Sequence, residues 1–138
     1  MPREPEIYVR NGSTTPPTLL QKLGIKAGQR ILLVGKLDRG FAVELMSAGA
    51  DVATRPRPDN DLIFLDAPAS EALWQLVPLQ EHLKRDGAIW TIRPKGVKVI
   101  TERDVMEAAK AAGLVDVKVA RFSETLTAEK LVIPVAQR

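Results

Sequence analysis

Six cations stand just past short apolar runs of this chain. Lys36 and Arg39 follow Ile31–Val34, Arg55 and Arg57 follow the run that starts at Asp51, and Arg93 and Lys95 follow Ala88–Ile92. A guanidinium offers a planar fork of donors to phosphate or carboxylate, and an ammonium adds a point charge, so such a group suits an anionic small molecule. Asp66, closing the run Leu62–Leu65, is the one carboxylate placed to act as an acid or base. Other chemistries lack their parts. There is no cysteine and a single histidine, and the carboxylates do not cluster, so neither thiolate chemistry nor a metal site is expected. His82, beside Glu81 and Lys84 in a polar stretch, reads as a solvated surface residue. Ser13, Ser47, Ser70 and Ser123 have no histidine partner in any triad pattern. Gly35 and Gly40 lead into Phe41-Ala42 rather than the Lys-Ser/Thr of a phosphate loop. Trp74 and Trp90 read as core or interface aromatics. A net charge of +3 permits an acidic partner, but 4% aromatic content argues against base stacking and so against nucleic acid.

These residues need a scaffold. A chain of 138 residues with 45% hydrophobic content makes one domain with a real core. No apolar run approaches the roughly 20 residues that span a bilayer. The start, Met-Pro-Arg-Glu-Pro-Glu, lacks the apolar stretch of a signal peptide, so the expectation is a soluble, cytoplasmic protein with no membrane partner. Residues 1–15 read as an N-terminal arm, with Glu6–Val9 as a short β segment, and 16–138 as the domain. Thr15 before Pro16-Pro17 reads as a helix cap, with Leu19, Leu20 and Leu23 on one face and Gly24 as the stop.

The apolar run Ile31–Val34 has no polar face, which fits a strand of a parallel sheet covered on both sides. A helix over 39–48 follows. Further strands are expected at Asp51–Arg55, Leu62–Leu65 and Ala88–Ile92, with a helix over Ser70–Arg85 that Pro78 kinks or splits. Asp86-Gly87 turns into the fourth strand. Thr101 and Asp104 have capping-box spacing before a helix closed by Gly113. Val115–Phe122 and Leu126–Ala136 read as an antiparallel hairpin around Ser123–Thr125. Alternating strands and helices mean a three-layer, mostly parallel α/β sheet, and strand carboxyl ends then share one edge.

Four segments in series resemble the class I, S-adenosylmethionine-dependent methyltransferase fold. Ile31–Gly35 is similar to its first strand and loop glycine, Asp61–Asp66 to its "FDLV" strand, Leu83–Gly87 to its "LKPGG" turn, and the closing helix with "AAGL" and the hairpin to its end. The whole pattern also resembles a set of short bacterial proteins of unknown function with this shape, through "TPxxLLxKLGIKxGxR" and "ETxTAxxxV". The resemblance implies a Rossmann-like sheet in the order 2-1-3-4-6-5, with one hairpin strand antiparallel to the rest.

It also sets what should be present at a cofactor site. Leu33 occupies the place of the loop acid, Leu37 and Arg39 replace two loop glycines, and Gly40 is one residue out of step. Thr54-Arg55-Pro56-Arg57 stands where a ribose-binding carboxylate is expected, and one strand–helix unit is missing before Leu62. No cofactor is therefore expected. Two classes stay open. One is a non-catalytic binding or regulatory module taking an anion through Gly35, Lys36, Arg39, Gly40, Arg55, Arg57, Asp66, Arg93 and Lys95. The other is an S-adenosylmethionine-dependent methyltransferase with an altered loop, or another enzyme using Asp66. The competing explanation of the cations is that loops are polar anyway. Arg55 and Arg57 are the first candidates for direct contact, and reversing both is expected to cost little stability. The missing outer unit leaves the second strand at an edge, which with Ile7-Tyr8-Val9 suggests a homodimer.

Overall fold

The computed structural model describes residues 17–138. The expected arm, its β segment and the cap at Thr15 lie outside them. The first described helix, α1 (Leu19–Lys22), is capped instead by Thr18, whose hydroxyl accepts from the Gln21 N–H while the Gln21 side chain accepts from the Thr18 N–H. Then come β1 (Arg30–Val34), α2 (Arg39–Ser47), β2 (Asp51–Ala53) and β3 (Asn60–Asp66). A helical stretch follows, made of a 3-10 segment (Ser70–Gln75), α3 (Leu76–Leu79) and a second 3-10 segment (Gln80–His82). The chain closes with β4 (Leu83–Pro94), α4 (Glu102–Ala111), β5 (Val115–Arg121), β6 (Leu126–Val132) and a last 3-10 turn, Val135–Gln137.

One six-stranded sheet has the order β2-β1-β3-β4-β6-β5. The pairs β1–β2, β1–β3 and β3–β4 are parallel, and β6 is antiparallel to both β4 and β5. This is the topology the sequence pattern implies. β1 shows why the run had no polar face. Ile31 and Leu33 enter one core with Phe41 and Leu45 of α2, and Leu32 enters the other with Leu73, Leu76, Val105 and Ala109. The first core is fixed by Phe41, which meets Phe64 edge-on at 5.0 Å and Phe122 at 4.9 Å. Fully burying such rings stabilises by about 2–3 kcal/mol each.

The second strand ends at Ala53 rather than Arg55 and the last at Val132 rather than Ala136, where a 3-10 turn replaces it, and three further expectations change. The helical stretch ends at His82, not Arg85, and is broken into 3-10 and α segments. Pro78 sits in the first turn of α3, where its missing N–H is not needed, so it is tolerated without continuing one long helix. β4 begins at Leu83, but its ladder with β3 shifts register between Asn60↔Leu83 and Leu62↔Ala88. Gly87 lies in that irregular segment with no room for a side chain, since a Cβ would lie 2.7 Å from the Asp61 carbonyl. The Asp86-Gly87 turn is thus a bulge inside the strand. Third, Trp74 is not a core residue. It is 71% exposed, whereas Trp90 is 0% exposed.

Candidate functional site

The loops leaving β1, β2, β3 and β4 share the carboxyl edge of the parallel strands. Gly35 opens the first of these at φ +93°, a left-handed conformation favouring glycine. The space is as restrictive as the backbone, because a Cβ there would lie 2.8 Å from Asp66 Cβ. Asp66 is tied to the same loop, its carboxylate accepting from the Lys36 backbone N–H. Burial pushes the Asp66 carboxyl above its ordinary range, and the Lys36 bond offsets only part of that. Asp38 precedes α2 with its carboxylate against Gly40, where a Cβ would sit 3.0 Å from Oδ2. The edge is therefore mixed in charge. Two carboxylates line the Gly35 loop, and Lys36, Arg39, Arg55 and Lys95, all exposed, follow the ends of β1, β2 and β4. Lys95 is held by its backbone N–H, which donates to the Thr125 carbonyl at 2.9 Å.

Arg57 is not brought to this edge. β2 returns to β3 through only six residues, Thr54–Asp59, so the loop must carry the chain back to the opposite edge. There Arg57 donates from Nη1 to Asp51 Oδ1 at 3.0 Å, from Nη2 to the Ile31 carbonyl at 3.3 Å and to the Asp51 carbonyl, and from Nε to Asn60 Oδ1 at 3.1 Å. Asn60, wholly buried, passes the link on by donating to the His82 carbonyl at 2.8 Å. Nearby Asp61 accepts from the Arg30 N–H and the Lys84 ammonium. Burial works to raise its carboxyl, but these two donors win and hold it below the usual carboxylate range. Arg57 is thus a clamp across the starts of three strands.

Arg93 also leaves the expected group. Its Nε donates to Glu129 Oε2 at 2.7 Å, and Thr91 Oγ1 donates to Glu129 Oε1 at 3.1 Å. Glu129 is 0% exposed and Arg93 9%. Alternation puts this pair on the α4 face, with Ile89 and Leu131 of that core, whereas Asp66 follows Leu62 and Phe64 onto the α2 face. Sequence reasoning missed Glu129 and Thr91. Part of the signal was present, since Glu129 interrupts the apolar run Leu126–Ala136, which the expected strand order places beside Ala88–Ile92, the run that Arg93 closes.

Two cavities among the described residues lie elsewhere. One of about 320 Å³ separates Leu73, Trp74 and Val77 from Glu107 and Ala108 of α4. The other, about 280 Å³, opens at the amino edge between Asp61, Asp86 and Lys130. Lys36, Arg39, Arg55 and Lys95 line neither. No helix among the described residues is long and apolar enough to cross a membrane.

The sheet order, the two covered faces and the glycine-opened loop define a single methyltransferase-like α/β unit. The solved structures it is similar to agree. A SAM dependent methyltransferase from Aquifex aeolicus superposes with a TM-score of 0.61 at 17% identity, covering 83% of this chain and 88% of that one. A ribosomal protein L11 methylase from Lactobacillus delbrueckii subsp. bulgaricus gives a TM-score of 0.62 at 14% identity, covering 83% and 74%. A putative type 11 methyltransferase from Sulfolobus solfataricus gives 0.58 at 13% identity, covering 80% and 87%. At such identities the likeness is one of fold. No curated protein matches the chain in sequence. A family model described as "Protein of unknown function (DUF3052)" matches residues 59–135, and the chain belongs to that family.

Proposed function

We propose that the protein is a non-catalytic small-molecule-binding or regulatory module on a methyltransferase-like scaffold, taking an anionic ligand at the strand carboxyl ends. The observation that carries this reading is the segment after β2, where Thr54-Arg55-Pro56-Arg57 stands in place of a carboxylate able to accept from ribose hydroxyls. Leu33, in the place of the loop acid, is buried in the α2 core. The opening beside Gly35 is taken up by Asp66. These residues do not fit S-adenosylmethionine. Lys36, Arg39, Arg55 and Lys95 supply the positive field for an anion instead, while Gly35 and Gly40 drop out of the contact set because Asp66 and Asp38 stand against them. Arg57 drops out of the contact set because its donors serve Asp51, Ile31 and Asn60 at the amino edge, and Arg93 because its Nε is held by Glu129 on the opposite face of the sheet from Asp66.

Calorimetric titration with S-adenosylmethionine is expected to give a dissociation constant no tighter than about 10 μM, near −7 kcal/mol. A thermal-shift panel of nucleotides, phosphorylated metabolites and organic acids should identify the anion, since a ligand binding only the folded state raises the melting temperature. The other reading, a methyltransferase with an altered cofactor loop, draws on the raised carboxyl of Asp66 at the end of central strand β3. A constant well below 10 μM would establish it over the first.

The short edge strand β2 also supports self-association. Light scattering on the full chain is expected to show a dimer that a version lacking residues 1–12 loses. A monomer in both cases would reject it.

A further inference from the structure

Arg93, Thr127 and Arg121 stand in one row across three strands. The ladder pairs Arg93 with Thr127, and Thr127 with Arg121. Directly opposed residues of antiparallel strands share a face, here the α4 face. Arg93 is fixed before any ligand arrives, because the buried Glu129 carboxylate, itself held by Thr91, grips its Nε. That leaves Nη1 and Nη2, with no hydrogen-bond partner among the described residues. The Thr127 hydroxyl likewise has none there. Arg121 is exposed, and among the described residues only its Nε is engaged, by the Ser123 carbonyl at 3.4 Å. A guanidinium already immobilised loses little freedom on binding, which is the main cost of using such a side chain. Charge selects the ligand. Glu129 neutralises Arg93, so the row carries the single net positive charge of Arg121, which matches a monoanion better than a phosphate dianion.

We propose that this row is a subsite for the carboxylate group of a small organic acid. The free N–H groups of Arg93 and Arg121 donate to its oxygens, and the Thr127 hydroxyl adds a further donor. The subsite lies on the opposite face of the sheet from Asp66 and does not depend on the reading of the Gly35 loop.

The test is a titration of full-length protein, labelled with ¹⁵N-arginine, with sodium benzoate, sodium phosphate and sodium chloride at matched ionic strength. Benzoate should move the Arg93 and Arg121 Nε–H signals saturably, and more tightly than phosphate. Arg121→Ala and Thr127→Val should each weaken it about tenfold. Arg121→Lys, which keeps the charge but loses the fork, should weaken it comparably. Both positions are at least partly exposed, so unchanged melting temperatures will show that the variants fold. The proposal is overturned if benzoate gives no saturable shift, if phosphate binds more tightly, or if Lys36→Ala with Arg39→Ala removes the response while the Arg121 and Thr127 variants retain it.

Discussion

Glu129→Ala is expected to lower the unfolding free energy by about 3 kcal/mol or more, and the melting temperature by about 10 °C. The change removes a wholly buried side chain and strands two donors, Arg93 Nε and Thr91 Oγ1, that now end on its carboxylate. Breaking one half of a buried pair leaves the other half without compensation, whereas replacing both halves by apolar groups of similar size does not. Arg93→Met with Glu129→Leu should therefore return to within about 1 kcal/mol of wild type. Urea unfolding followed by the fluorescence of buried Trp90 checks both. Equal losses in the single and double variants would show that the pair is not what the α4 face depends on.

The same carboxyl makes a prediction about pH. Burial pushes Glu129 above its ordinary value of 4.5, and Arg93 and Thr91 pull it only part of the way back, with Asp116 opposing them. A raised folded-state value means that the protonated form is the better folded one. The contribution is full below about pH 4.5 and is lost as pH rises through the folded-state value. Glu129→Gln, which cannot ionise, should cost less than Glu129→Ala and should gain on wild type across that interval.

Arg57→Glu is the second large effect, at about 2–4 kcal/mol. The new carboxylate cannot donate to Asn60 Oδ1 or to the Ile31 and Asp51 carbonyls, and it faces the Asp51 carboxylate that Arg57 now satisfies. Arg55→Glu should fall within about 0.5 kcal/mol of wild type, as exposed loop charges do. The two arginines are therefore not equivalent. Arg55→Glu alone tests the anion reading cleanly, through lost ligand-induced stabilisation in the thermal-shift panel. Similar melting temperatures for the two single variants would mean that Arg57 does not clamp the strands.

Strand order was legible in the residues because it rests on local signals. Uninterrupted apolar runs marked the buried strands Ile31–Val34 and Leu62–Leu65, capping-box spacing marked α4, and a polar turn marked the β5–β6 hairpin. Alternation of strands and helices then leaves few topologies, and the likeness to methyltransferase segments selected among them. Element ends were less legible where a residue has two acceptable roles. Pro78 could break a helix or begin one, and Gly87 could end a turn or fill a bulge. Sequence also sufficed to place cations on loops beyond strand ends. It could not say which of them would be used up. Arg55 and Arg57 are two residues apart and alike in type, yet a six-residue connection returns one to the amino edge, where Asp51, Ile31 and Asn60 converge on its donors. Arg93 and Glu129 are 36 residues apart, and only the β4–β6 register turns them into a pair. A guanidinium's partners are set by which oxygens lie within about 3 Å of it, and that is decided by the packing of distant strands rather than by neighbours in the chain.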